Sequence, residues 1–240
     1  RVLGRHTLGL GYAVAFADLV LAPATPSNTA RSGGTIYPIV SNIPRLYGSE
    51  PGPTARRIGT YVMWTAFAAT AVTSSMFLTA LAPNAAALGI AKKTVGIDVV
   101  WSQWFFGFAP LGILLILLVP LLAYLLCRPE VKESPEITAW AANELVAMGP
   151  MTRSEWIMLV LVLLAMLLWI VGGNPNISVP GLGSNFINAT MVVFVVISLL
   201  LLTGVVEFAD IIAEKSAWEV FFYFTSLLTL ASGLSEIGFV

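Results

Sequence analysis

The stretch Pro23-Ala24-Thr25-Pro26-Ser27-Asn28-Thr29-Ala30-Arg31-Ser32-Gly33-Gly34 decides how the rest of the chain is read. It is polar, broken and cationic, yet it lies between two apolar runs, Leu8 to Ala22 with the single charge Asp18, and Thr35 to Tyr47, apolar until Arg45. Pro23 and Pro26 end any helix arriving from the left, because proline donates no amide and disfavours helix before it. Ser27, Asn28 or Thr29 can cap a helix that starts on the right. The expectation is two short helices meeting at a polar tip. Each arm is about 15–20 residues, near the lower limit for crossing a bilayer, so a re-entrant hairpin fits better than two full spans.

Within a membrane such a tip must be buried in protein or face water, since lipid cannot satisfy its backbone groups. The amides of a helix start, with the positive end of its dipole, attract an anion such as a carboxylate. Freed carbonyls and the Ser, Asn and Thr oxygens suit a hard cation such as sodium. The alternative on composition alone is an ordinary extramembrane turn. Asp18 is either a proton or cation site or a partnered acid holding the hairpin against a neighbouring span.

The surrounding composition favours the membrane reading. Of 240 residues, 58% are hydrophobic and 10% charged, with mean hydropathy +0.87. Soluble domains have about 25% charged residues. The expectation is an all-α polytopic membrane protein. A net charge of −1 argues against a nucleic-acid partner. The single Cys127 excludes an internal disulfide and reads as a packed thiol. The single histidine, His6, reads as an interfacial residue; with no HExxH motif and no facing acids in the spans, an embedded enzyme is disfavoured. A channel is a further alternative to a carrier. Both ends read as cut, so a central segment of a longer protein is expected.

Downstream, Gly48 to Thr54 is a loop, and Ile58 to about Ile90 is a long apolar segment interrupted at Pro83-Asn84. The hydroxyls of Thr73, Ser74, Ser75 and Thr79 precede that break, and they are either back-bonded to the preceding turn or a second wall of one site. Ala91 to Gln103 reads as a short loop, with Trp101 and Trp104 in an interfacial belt. Trp104 to Leu126 is a span containing Pro110 and Pro120. Ser134 to Met148 reads as an amphipathic surface helix. Trp156 to Val171 and Phe186 to Val206 are spans, joined by an uncharged loop, Gly172 to Asn185. Ala217 to Leu230 is a last apolar segment, loosening at Ser232-Gly233. Asn176 and Asn188 match the glycosylation pattern, which carries no weight alone. Most basic residues, including Arg45, Arg56, Arg57, Arg128 and Lys132, fall on one side and Lys92 and Lys93 on the other, so the first side is expected to be cytoplasmic.

The run Pro26 to Gly34 resembles the Ser-Asn-Thr signature of the divalent anion:sodium symporter family. The likeness continues through Tyr37-Pro38-Ile39, Arg56 to Tyr61, Thr73 to Asn84, and Ala231 to Leu234. It is similar in particular to the branch that exchanges citrate, tartrate and succinate, or 2-oxoglutarate and malate. The resemblance implies an inverted-repeat transporter fold with re-entrant hairpins and broken helices. In that frame residues 1–47 are the hairpin, 58–126 the broken helix and next span, 127–153 a cytoplasmic linker, and 154–240 the start of a second repeat. It implies secondary transport of di- or tricarboxylates by exchange, with sodium-coupled symport as the alternative. Ser27, Asn28 and Thr29 match the family's substrate- and sodium-binding tip, and Ala82, Pro83 and Asn84 its second contact region. A sodium site is implied at Ser27, Asn28 and Ala80, although Ala80-Leu81-Ala82 departs from the small residues or Gly of many sodium-coupled members. Otherwise no cofactor is expected. Arg31 is a candidate for bidentate contact with a substrate carboxylate; permanent pairing with an acid such as Asp18 is the alternative. A homodimer is implied, in the bacterial inner membrane rather than the plastid inner envelope.

Overall fold

The computed structural model describes residues 5–25, 27–97, 99–133, 135–172 and 189–239. Pro26, Asp98, Ser134, Asn176, Asn188 and most of the loop expected after Gly172 lie outside the described residues. Among those described the fold is helical, with one isolated antiparallel bridge between His6 and Glu133. Two compact units are formed, residues 1–193 and 194–240.

The first unit begins with the expected hairpin. Helix α1, Thr7–Leu21, stops where Pro23 enters a single 3₁₀ turn, Ala22–Ala24. The chain turns through Thr25 and Ser27 and climbs back as helix from Asn28. That second arm is irregular: a π-helical stretch over Ala30–Ile36, then α2, Tyr37–Val40, and α3, Asn42–Leu46. A π turn is rare and often accompanies a functional site. Here it spans the Gly33-Gly34 pair.

The long apolar segment is a broken helix. Helix α4, Gly59–Met76, is followed by a 3₁₀ turn at Leu78–Ala80 and by α5, Ala82–Val95. The interruption therefore lies at Phe77–Leu81, ahead of the Pro83-Asn84 position that the sequence suggests. Pro83 sits in the first turn of α5, where an amide has no intrahelical acceptor and none is missed. Helix α5 also runs further than expected. It ends at Val95 against Gly96 in the left-handed conformation (φ 69°), so Ala91 to Val95 is helix rather than loop.

Helix α6, Trp101–Cys127, returns across the unit with both of its internal prolines. Trp101 does not belong to an interfacial belt. It is only 7% exposed, with ring centroids 6.2 Å from Phe77 and 5.7 Å from Phe105. Its indole N–H donates to Thr79 Oγ1 (3.2 Å), which holds it beside the break. Trp104 is half-buried and donates to the Ser75 carbonyl (3.0 Å).

Small residues let these helices approach. A Cβ on Gly11 of α1 would stand 1.9 Å from the Tyr61 hydroxyl of α4, and one on Gly112 of α6 would stand 2.6 Å from Met76. Close approach of this kind is how packed helices associate where lipid removes the hydrophobic drive. The linker helix α7, Pro135–Met148, lies where expected, and α8, Arg153–Gly172, is an apolar helix long enough to span.

Helix α9, Ala189–Leu202, leads into the second unit, which holds α10, Phe208–Ala213, and α11, Lys215–Glu236. Helix α11 does not loosen at Ser232-Gly233 but continues to Glu236. Within this unit Trp218 donates its indole N–H to the Ile212 carbonyl (3.1 Å), closing the corner between α10 and α11. Among the described residues, four helices are long and apolar enough to cross a membrane: Thr7–Ala24, Trp101–Cys127, Arg153–Gly172 and Ala217–Glu236. The chain is a multi-pass membrane protein.

Candidate functional site: the hairpin tip and the broken helix

Both ends of the hairpin lie at the same end of the first unit. The segment after α6 binds the start of α1, where Thr7 donates its amide to the Lys132 carbonyl (3.0 Å) and its hydroxyl to the Val131 carbonyl (2.6 Å). The same segment donates to the start of α4, from Glu130 N to Arg56 O (3.2 Å) and Val131 N to Arg57 O (3.0 Å). The outer end of the hairpin joins them through the Tyr47 hydroxyl, which donates to Glu136 (2.7 Å).

Asp18 is eleven residues beyond Thr7, and Thr70 is eleven beyond Gly59. At 1.5 Å per residue both stand about 17 Å along their helices.

A fully buried ion pair occupies this level. Arg31 Nε donates to Asp18 Oδ1 at 2.9 Å, with neither side chain exposed. Arg31 Nη2 donates to Thr73 Oγ1 (3.1 Å) and Ser74 Oγ (3.0 Å), and Nη1 to the Thr25 carbonyl (3.4 Å). Asp18 accepts from Thr70 (3.1 Å) and from Thr73. Burying two charges is offset only when their remaining donors and acceptors are satisfied, and here three elements share that task. Of the two sequence alternatives for Arg31, pairing with Asp18 is the one found. Protein groups engage all three guanidinium nitrogens.

Above the pair lies the tip. Ser27 Oγ accepts from the Ala30 amide (3.2 Å), a capping bond that starts the second arm. Asn28 is half-buried and Thr29 exposed, with the Thr29 hydroxyl 3.4 Å from Asn28 Oδ1. Both line a groove of about 560 Å³ whose walls include Ser32, Gly33, Phe67 and Thr70.

The second break meets the hairpin at the base of the tip. The Thr79 hydroxyl donates to the Pro23 carbonyl (2.9 Å), joining the 3₁₀ turns of the two interruptions. Asn84 is buried and turned inward. Its Nδ2 donates to the Ser74 carbonyl (2.8 Å) and the Phe77 carbonyl (3.1 Å), satisfying acceptors that the end of α4 leaves open. Ala82 is exposed, Pro83 half-buried, and Ala80 fully buried with its amide on the Phe77 carbonyl (3.0 Å). The expected hydroxyls divide: Thr73, Ser74 and Thr79 make contacts between elements, whereas Ser75 is back-bonded to Ala71 (3.3 Å). Thr70 and Ser32 (Oγ atoms 2.7 Å apart) were not singled out from sequence, although Thr70 stands one turn before Thr73 on the same helix face.

The family profile described as "Sodium:sulfate symporter transmembrane region" matches residues 1–240. Proteins named "L-tartrate/succinate antiporter" from Escherichia coli (strain K12), Shigella sonnei (strain Ss046) and Shigella flexneri are each 46% identical over 239 residues, covering 99% of this chain and 47% of the relative. The chain thus spans about half the length of the curated relatives it matches. With the profile matched from end to end, over a helical hairpin and a broken helix whose interruptions meet, the chain belongs to the sodium:sulfate symporter transmembrane family, the group of divalent anion transporters that its Ser-Asn-Thr tip resembles.

Proposed function

We propose that this chain supplies one half of the core of a carrier that exchanges small dicarboxylates across the bacterial inner membrane by alternating access. The observation that carries the reading is the meeting of two helix interruptions, one bearing Ser27-Asn28-Thr29 beside a closed ion pair. A substrate carboxylate would sit at the start of the second arm, where first-turn amides point outward and the dipole favours an anion. Asn28 Nδ2 and Thr29 Oγ1 would add side-chain donors, with Ser27 holding the turn. The exposed backbone at Ala82 and Pro83 would form the facing wall, and Asn84 would keep that wall in shape from within. The names of the relatives point to tartrate and succinate as the pair to test.

The test is radiolabelled succinate uptake by the full-length protein in liposomes, with and without internal tartrate or succinate and in sodium-free buffer. Saturable uptake that needs an internal dicarboxylate and not sodium is expected. Rapid sodium-driven uptake into vesicles holding no counter-anion would overturn the exchange reading, and non-saturable flux would indicate a channel.

A further inference from the structure

We infer that Asp18 and Arg31, bridged by Thr73, are positioning residues for the anion-binding tip, and that Arg31 holds the tip in place without touching the anion. This rests on the carboxylate reading above. Arg31 lies one helical turn beyond Ser27, and its side chain reaches back beneath the turn to the Thr25 carbonyl on the other arm. One guanidinium therefore ties the descending arm, the ascending arm and α4 together, through Thr25, Asp18, Thr73 and Ser74. It is wholly buried, each of its three nitrogens already donates, and four of its five N–H groups are engaged by protein acceptors.

Thr70 extends the arrangement to the groove. It is a groove-lining residue, it donates to Asp18 Oδ1, and its hydroxyl meets that of Ser32 on the ascending arm. The tip is thus registered against α4 by bonds that converge on one carboxylate. Neither member of the pair lines the groove and together they carry no net charge, so what the pair supplies to binding is position. Loosening it would weaken affinity although neither charge contacts the ligand.

The two roles separate in a double-mutant cycle on the full-length protein, read as the dissociation constant for succinate in detergent and as the melting temperature. Asp18→Asn and Arg31→Gln each leave one buried charge alone, and each is expected to weaken binding at least about tenfold and to lower the melting temperature. The combined variant, neutral at both positions, is expected to recover most of both losses. If the combined variant binds as weakly as Arg31→Gln, the arginine contacts the anion directly and the inference is overturned. Should the single variants fail to fold, Thr73→Val keeps both charges and removes only the bridging hydroxyl. It is expected to raise the KM for exchange about tenfold with the maximal rate retained, and an unchanged KM would equally overturn the inference. Wild-type protein that binds no dicarboxylate removes the functional reading on which the inference stands, whereas a binding wild type with an additive cycle removes the inference alone.

Discussion

Asn28 is the side chain at the tip best placed to meet an anion, and it can be tested apart from the fold. It is half-buried on the groove wall, and its side-chain oxygen accepts from the Thr29 hydroxyl beside it rather than from the packed interior. Asn28→Ala is therefore expected to leave the melting temperature close to wild type while weakening dicarboxylate binding. Loss of a hydrogen bond to a charged group is worth about 1.5–3 kcal/mol, roughly tenfold to a hundredfold in affinity. Unchanged affinity measured by titration would remove Asn28 from the site. Asn84 is the contrast. Its amide bonds two carbonyls at the end of α4, so its replacement belongs to stability before binding. From sequence the two asparagines look equivalent; what separates them is which one the break turns inward.

At the level of elements, the linker helix α7 is docked on the hairpin through one polar contact whose strength depends on pH. The Tyr47 hydroxyl donates to Glu136, and this bond holds the Glu136 carboxyl below the ordinary glutamate range. Partial burial, followed by the same bond, pushes the Tyr47 hydroxyl up. A carboxyl lowered in the folded state stabilises docking fully above its ordinary pKa of about 4.3, and that contribution fades as the pH falls through the lowered value. Hydrogen exchange along α7 is the measurement. Tyr47→Phe is expected to exchange faster than wild type at pH 7, with the difference closing below pH ~4. Equal exchange at pH 7 would show that the contact does not dock the helix. Ile137, buried in the same core as Tyr61 and Val62, anchors α7 in both proteins, so the change is partial.

For the whole molecule the consequence is topology. Helices α4 and α5 lead from the end where Arg56 and Arg57 lie to a far turn at Gly96. The 27 residues of α6, about 40 Å at 1.5 Å per residue, return to Glu130 and Val131, which bond Arg56 and Arg57. Arg56, Arg57, Arg128 and Lys132 thus share one end of the first unit, as the basic-residue bias requires of a cytoplasmic face. In a Cys127→Ser background, single cysteines at Glu50 and Glu133 are expected to label with an impermeant maleimide from the cytoplasmic side, and one at Ile97 only from the opposite side. Labelling of Glu50 and Ile97 from the same side would refute the arrangement.

Composition and helix-breaking residues were enough to establish a polytopic membrane protein, a hairpin over Leu8 to Tyr47 and a broken segment after Ile58. These features follow from local rules: proline supplies no amide, and lipid solvates no free backbone group. The polar tip and its Ser-Asn-Thr run were legible for the same reason. Asp18 stands in the sequence as one of two alternatives for Arg31, but a charge in a sequence carries no record of which distant group compensates it, so only the packing of α1 and α4, which gathers Asp18, Thr70, Thr73 and Ser74, decides between them. Likewise Trp101 matches the composition of an interfacial belt, and only the stacking of Phe77 and Phe105 draws it inside. The displaced break has the same origin. Pro83 is silent within a first helical turn, while Asn84 and Thr79 stabilise the unwound turn before it through contacts that exist only in the folded chain.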